Sequence, residues 1–407
     1  MIDATMTKRM EEATRLTRAG KLHEAMDILQ GSVPEARGAE TPDTSYQGGN
    51  TFDGTCEVID EEATVSKPEP AESTAGAFSP GDIKMPAAWR DKWMKFRGGM
   101  AQPEQAPSAS EEPQPGAFIA GRFTNSAGTR DYKLYMPSGY NGQALPLVVM
   151  LHGCTQNPDD FAAGTDMNRL AEEQLCCVLY PAQPMTANSS KCWNWFKAED
   201  QQREGGEPAI IAGMTRQIID THGLDGSRVY VAGLSAGAAM ATTLAMTYPD
   251  LFAAVGVHSG LPHGVAQSLP DALGAMQGGT GPLGGGKAKG AAWASEVPAI
   301  IFHGDRDTTV HPSNADRVAA QYNASGASNA GKAGAKVEQG KVANGHAYTR
   351  TTHHNEKGEP QMEQWRIHGA GHAWSGGSAK GSYTDSKGPD ATKEMLRFFY
   401  RHQQAST

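Results

Sequence analysis

From residue 117 onward, apolar and polar positions alternate between two kinds of block. Residues 117–124 and 129–136 flank Asn125-Ser126-Ala127-Gly128, which predicts two strands joined as a hairpin. Leu145 to Leu151 is a near-continuous apolar run, the pattern of a strand buried on both faces of a parallel sheet. A helix is predicted over Phe161–Leu175, a strand over Cys176–Tyr180 and a helix over Pro208–His222. Further strands are predicted at Arg228–Ala232, Phe252–His258, Val297–His303 and Gln361–His368. Helices are predicted at Ser313–Tyr322 and Asp390–Arg401. This alternation predicts a mostly parallel central sheet covered by helices on both faces, with an antiparallel hairpin at its start. Two stretches interrupt it. Residues 264–292 are Gly-rich and predict a mobile cap loop; residues 323–346, rich in Ala, Gly and Lys, predict a flexible surface excursion.

The first 116 residues follow a different pattern. Residues 7–30 carry two short apolar stripes at helical spacing around Ala19-Gly20-Lys21, predicting a helical hairpin over 1–30. Such a hairpin buries little surface by itself and serves for docking or tethering. Residues 31–116 are acidic and rich in Pro, Gly and Ser, a composition that buries too little apolar area to offset chain entropy. They are expected to form a mostly disordered linker. One island, Pro86–Met94, sets Trp89 and Trp93 one helical turn apart as an anchor. The remaining residues, 117–403, form the predicted compact domain.

Charge sharpens this division. The net charge of the 407-residue chain is −9, and −8 of it falls within residues 1–116. The compact part has no basic excess, so nucleic-acid binding has no electrostatic footprint. No apolar run is long enough to span a membrane. Residues 1–30 carry charges throughout and lack the apolar core of a secretory leader, which points to the cytoplasm. Five cysteines, Cys56, Cys154, Cys176, Cys177 and Cys192, match neither a disulfide scaffold nor a zinc site.

The chemistry centres on Gly233-Leu234-Ser235-Ala236-Gly237, a G-x-S-x-G turn between a β-branched strand and an Ala/Met-rich helix. A sharp strand-to-helix turn lifts a serine hydroxyl above the sheet edge. The bland alternative is a glycine-rich turn with a solvated serine. Serine is a poor nucleophile unless a base activates it and an acid orients that base. In open α/β sheets these groups lie on loops after the carboxyl ends of strands. One later loop holds His303-Gly304-Asp305-Arg306-Asp307 and another holds Gly371-His372-Ala373-Trp374. The order Ser235, Asp307, His372 is that of an α/β-hydrolase. His372 is preferred as base over His368 and His303 because glycines bracket it. Asp307 is preferred over Asp305, which is expected to pair with a neighbour or cap the turn. The backbone N–H groups of Ala236 and Cys154 are the expected oxyanion donors. Trp193, Trp195 and Trp374 are candidate substrate-binding residues; the alternative for the Cys192–Phe196 cluster is a surface loop folded onto the core. A disulfide between Cys154 and Cys192 would tie the two loops together, and two free thiols are the alternative in a reducing compartment. Chemistry of this kind needs no metal and no organic cofactor.

Jointly, several segments resemble the polyhydroxybutyrate (PHB) depolymerase family of esterases, which is grouped with feruloyl and acetylxylan esterases. They are Leu151-His152-Gly153-Cys154-Thr155-Gln156, Cys192-Trp193-Asn194-Trp195-Phe196, Arg228-Val229-Tyr230-Val231 before the serine turn, His303-Gly304 with Asp307, and Gly371-His372-Ala373-Trp374. The resemblance covers about residues 117–400. It implies an α/β-hydrolase fold and a serine esterase acting on poly- or oligo-(3-hydroxyalkanoate) esters, or on feruloyl or acetyl sugar esters. It assigns Ser235 as nucleophile, Asp307 as acid and His372 as base. Many members are secreted, so the resemblance implies an extracellular location where the N-terminus implies the cytoplasm. Ala238 stands where a further glycine is common, and no C-terminal polymer-binding domain is read in the chain. An inactive hydrolase fold binding partners through residues 1–116 is the competing class, against which the intact Ser/Asp/His order argues.

Overall fold

The computed structural model describes residues 116–279, 295–323, 335–355 and 357–404. The predicted N-terminal hairpin, linker and Trp89/Trp93 helix lie outside them. The described chain begins with an antiparallel ribbon, β1 (Ala117–Asn125) and β2 (Gly128–Met136). There follow β3 (Leu147–Leu151), α1 (Pro158–Thr165), α2 (Met167–Gln174), β4 (Cys177–Pro181), α3 (Gly206–His222), β5 (Val229–Leu234) and α4 (Ala236–Thr247). Next come β6 (Ala254–His258), α5 (Leu269–Met276), β7 (Ala299–Gly304), α6 (Ser313–Asn323), β8 (Lys336–Lys341), β9 (Ala347–His354) and β10 (Pro360–His368). A small two-stranded pair, β11 (Trp374–Ser375) with β12 (Thr384–Asp385), precedes α7 (Ala391–Phe399).

The main sheet runs β1-β2-β4-β3-β5-β6-β7-β10-β9-β8. Its inner strands, β4 through β10, pair in parallel, and an antiparallel ribbon closes each edge. This is the α/β-hydrolase fold. Successive side chains of a strand face opposite ways, so a strand that is apolar throughout needs cover on both sides. β3 meets that demand. Leu147, Val149 and Leu151 pack on one face with α3, α4 and α6, while Val148 and Met150 pack on the other with α1, α2 and α7. α4 is buried on nearly all sides, which suits its alanine-rich sequence.

Local pattern and observed structure part in several places, among them the unpredicted strands β9, β11 and β12. The single helix predicted over Phe161–Leu175 is two helices, broken at Asp166, whose backbone is left-handed (φ 55°). Tertiary partners take the carbonyls at the break: Gly164 O accepts from Ser378 N at 2.8 Å and Thr165 O from Thr392 Oγ1 at 2.6 Å. The predicted excursion over 323–346 contains β8, which pairs with β9 and extends the sheet. Its exposed, polar residues carry no buried-strand signal because they sit at the sheet edge. The predicted cap loop over 264–292 contains α5, started by Ser268, whose hydroxyl accepts from Asp271 N.

The turn between β5 and α4 is set by close approach. A Cβ on Gly237 would stand 2.0 Å from Leu151 O, and one on Gly233 would stand 2.4 Å from the Gly237 carbonyl carbon. Both obstacles are backbone and cannot rotate away. Gly237→Ala should therefore lower stability by about 1–3 kcal/mol. Thermal unfolding of the variant would check this; an unchanged midpoint would mean that the two segments are not in contact.

Candidate active site

Ser235 occupies the turn with φ 57° and ψ −120°, a conformation that costs a non-glycine residue about 1–3 kcal/mol and persists only where the surroundings enforce it. Its N–H donates to His258 O at 2.9 Å, fixing the turn to β6. The side chain lines a cavity of about 230 Å³ together with His372. The Ser235 hydroxyl makes no hydrogen bond to His372 among those of the described residues, and it stands free in the cavity.

Asp307 follows β7 and His372 follows β10, which are neighbouring strands. His372 Nδ1 donates to Asp307 Oδ2 at 2.7 Å. Asp307 Oδ1 accepts from the amides of Thr309 (2.9 Å) and Val310 (2.8 Å). His303 Nε2 lies 3.3 Å from Asp307 Oδ2. Burial opposes the charge on Asp307, yet hydrogen bonds from His303 and His372 hold it well below the usual carboxylate range. Asp305 points elsewhere. It pairs with His368 Nδ1 at 2.9 Å and accepts from Gly369 N at 2.7 Å, joining the loop after β7 to the loop after β10.

The loop after β3 lies against Ser235. Gly153 N donates to Gln156 Oε1 and Thr155 N to Ser190 O, whereas the amides of Cys154 and Ala236 have no acceptor among the turn, loop and cap hydrogen bonds of the described residues. Both residues line the cavity, and Ala236 is the first residue of α4, where the helix dipole favours negative charge. Cys154 and Cys192 are joined as a disulfide with Cα atoms 4.2 Å apart, so the open alternative resolves to a covalent tie. Cys176 and Cys177 are free, buried core residues.

The three tryptophans part company. Trp195 lines the cavity, edge-on to Phe196. Trp193 and Trp374 do not line it. Trp193 is fully buried and donates to His152 O at 3.1 Å, while Trp374 packs on His258 and Phe161 and donates to Thr392 Oγ1. Each ring found a core slot in which its single N–H is satisfied, which is what burial of tryptophan demands. The apolar wall comes instead from Leu261 and Val310 and from Leu269, Leu273 and Met276 of α5.

Several supporting groups escaped the sequence reading. The buried Glu207 carboxylate accepts from Asn194 N, Asn194 Nδ2, Arg130 and Gln183, and so shapes the loop bearing Cys192 and Trp195. Nothing in the local sequence marks it beyond its place in the first turn of α3. Its neighbour Asp200 accepts from Glu207 N, and burial together with the Glu207 charge pushes Asp200 up to about 6. His258 is stacked between Phe302 and Trp374, and its Nε2 accepts from Ser375 N. Its only sequence signal is its position at the end of a buried strand.

A family model described as "Esterase PHB depolymerase" matches residues 130–340. Poly(3-hydroxyalkanoate) depolymerase C of Paucimonas lemoignei is 39% identical over 205 residues, covering 49% of this chain and 49% of that protein. A probable acetylxylan esterase A of Aspergillus fumigatus is 34% identical over 204 residues, covering 47% of this chain and 53% of that protein. The chain thus spans about half the length of these curated relatives. Among solved structures, an acetyl xylan esterase from Aspergillus awamori superposes with a TM-score of 0.53 at 22% identity, covering 69% of this chain and 99% of that one, a likeness of fold.

Burial lowers the proton affinity of five histidines: His258 to about 3, His152, His263 and His402 each to about 4, and His353 in the same direction. An unfolded histidine titrates near 6.5. Below that pH the unfolded chain binds more protons, so stability present above about 6.5 is lost as pH falls toward 4. Asp200 and Asp390, both raised by burial, act in the opposite sense but are two groups against five. Calorimetry should find a lower melting temperature at pH 5 than at pH 7.5; an equal or higher value at pH 5 would contradict this account.

Proposed function

Since the chain belongs to the PHB depolymerase family of esterases, we propose that it hydrolyses carboxylic esters through an acyl-enzyme formed on Ser235. The observation that carries this reading is the Asp307–His372 hydrogen bond, with His372 and Ser235 lining one cavity. With its Nδ1 proton held by Asp307, His372 keeps the Nε2 lone pair as the base. On substrate binding His372 Nε2 takes the Ser235 proton as Oγ attacks the ester carbonyl; such contacts commonly tighten only in the complex. The ionised Asp307 fixes the tautomer and stabilises the imidazolium that forms. The amides of Cys154 and Ala236 receive the oxyanion, each donor of this kind contributing about 10²–10³ in rate. His372 then protonates the departing alcohol, and later activates the water that releases the acid. The catalytic unit is assigned to residues 117–403.

The preferred substrates are poly- or oligo-(3-hydroxyalkanoate) esters, in keeping with the relative from Paucimonas lemoignei and the apolar wall of the cavity. The acetylxylan esterase relative supports a second reading, an acetyl or feruloyl sugar ester. Release of 3-hydroxybutyrate from its oligomers, set against release of acetate or ferulate from decorated xylan, separates the two.

Ser235→Ala should cut turnover of p-nitrophenyl butyrate by about 10⁴-fold or more. Wild-type protein that is folded but inert on every ester would favour a binding module instead. Asp307→Asn should lower kcat on the order of 10⁴-fold, because the tautomer is lost. Asp305→Asn should act far more weakly and chiefly on stability. Equal losses in the two variants would sink the assignment of Asp307.

A further inference from the structure

Tyr383 and Thr155 meet across the cavity. Both line it, and both have left-handed backbones, with φ 52° and 67°. The Tyr383 hydroxyl lies 3.2 Å from Thr155 Oγ1. Thr155 has one hydroxyl proton, and it is donated to Cys154 O at 2.6 Å. In the contact between the two hydroxyls Tyr383 is therefore the donor. A phenol whose proton is spent in this way can only accept. The residue is 43% exposed and lines the cavity, where its remaining hydrogen-bonding capacity toward a ligand is that of an acceptor.

This acceptor is held in place. Ser382 is bound by Asp160 through its N–H (2.8 Å) and its hydroxyl (2.5 Å). Gln156 Nε2 donates to Ser382 O at 3.1 Å and to Asp160 Oδ2 at 2.9 Å, while Gln156 Oε1 takes the Gly153 amide. Trp374 N donates to Tyr383 O at 2.7 Å. The loop carrying Tyr383 is thus braced directly to the loop carrying Cys154. Gln156 and Asn188, which also line the cavity, spend their amides on these loops. Trp195, Leu261, Leu273, Met276 and Val310 are apolar.

We propose that the Tyr383 hydroxyl oxygen accepts a hydrogen bond from a hydroxyl group of the substrate and so selects hydroxylated esters over their deoxy analogues. The proposal rests on reading the cavity as an esterase site. A fixed acceptor facing an apolar wall penalises an analogue that leaves it unpaired. It also disfavours a group in the same place that can only accept.

The test compares kcat/KM for methyl 3-hydroxybutyrate and methyl butyrate, which differ in one hydroxyl. Wild type should favour the hydroxylated ester by about tenfold. Tyr383→Phe should bring the ratio close to one, chiefly through KM for the hydroxylated ester. Thr155→Val removes the acceptor of the Tyr383 proton, so the phenol can donate to the ligand. That variant should gain on methyl 3-oxobutyrate, whose matching group only accepts, relative to wild type. An unchanged hydroxyl ratio in Tyr383→Phe, or no gain on the oxo ester in Thr155→Val, would overturn the proposal. Absence of wild-type turnover on both of the first two esters would instead bring down the esterase reading itself.

Discussion

At Gly237 the backbone of α4 passes so close to the end of β3 that a side chain would strike the Leu151 carbonyl oxygen. That contact governs the geometry around it. It draws the N-terminus of the buried helix against the loop 152–157, so the amides of Ala236 and Cys154 open into one cavity. It also forces the left-handed backbone at Ser235, whose N–H is then caught by the last carbonyl of β6. The strain at Ser235 is offset by the burial of α4, which packs against the sheet with little beyond alanine, methionine and threonine at its surface.

Around this contact the electrostatics are arranged to keep one charge and suppress others. Asp307 is buried but accepts hydrogen bonds from the amides of Thr309 and Val310 and from His372, with His303 Nε2 a further 3.3 Å contact, and stays ionised. The histidines that are buried without a carboxylate in contact, His152 and His258, are held neutral by desolvation and use a ring nitrogen to accept backbone amides. The same economy appears in Glu207, whose four donors anchor the loop tied by Cys192 to Cys154.

Much of the sheet was legible because its central strands are buried at every position and almost wholly apolar, and only a strand covered on both faces carries that pattern. The edge ribbon β8–β9 was not legible, since an exposed edge strand has no burial to record in its sequence. The break between α1 and α2 was hidden for a related reason. It depends on carbonyls taken by Ser378 and Thr392, more than two hundred residues away in the chain.

The sequence by itself determined the succession of the buried strands, the G-x-S-x-G turn and the order of a serine, an aspartate pair and a histidine on successive loops, because each is a local pattern of size, polarity and glycine placement. Tertiary structure alone decided which aspartate faces His372. Asp305 and Asp307 lie two residues apart on one loop, and only the pairing of β7 with β10 turns the first toward His368 and the second toward His372. It also decided which tryptophan reaches the cavity. All three are equally apolar in the sequence, but Trp193 and Trp374 found buried acceptors for their N–H groups, and Trp195 was left at the cavity wall. Local chemistry names the candidates; the distances at which their hydrogen bonds can close exist only once the strands are side by side.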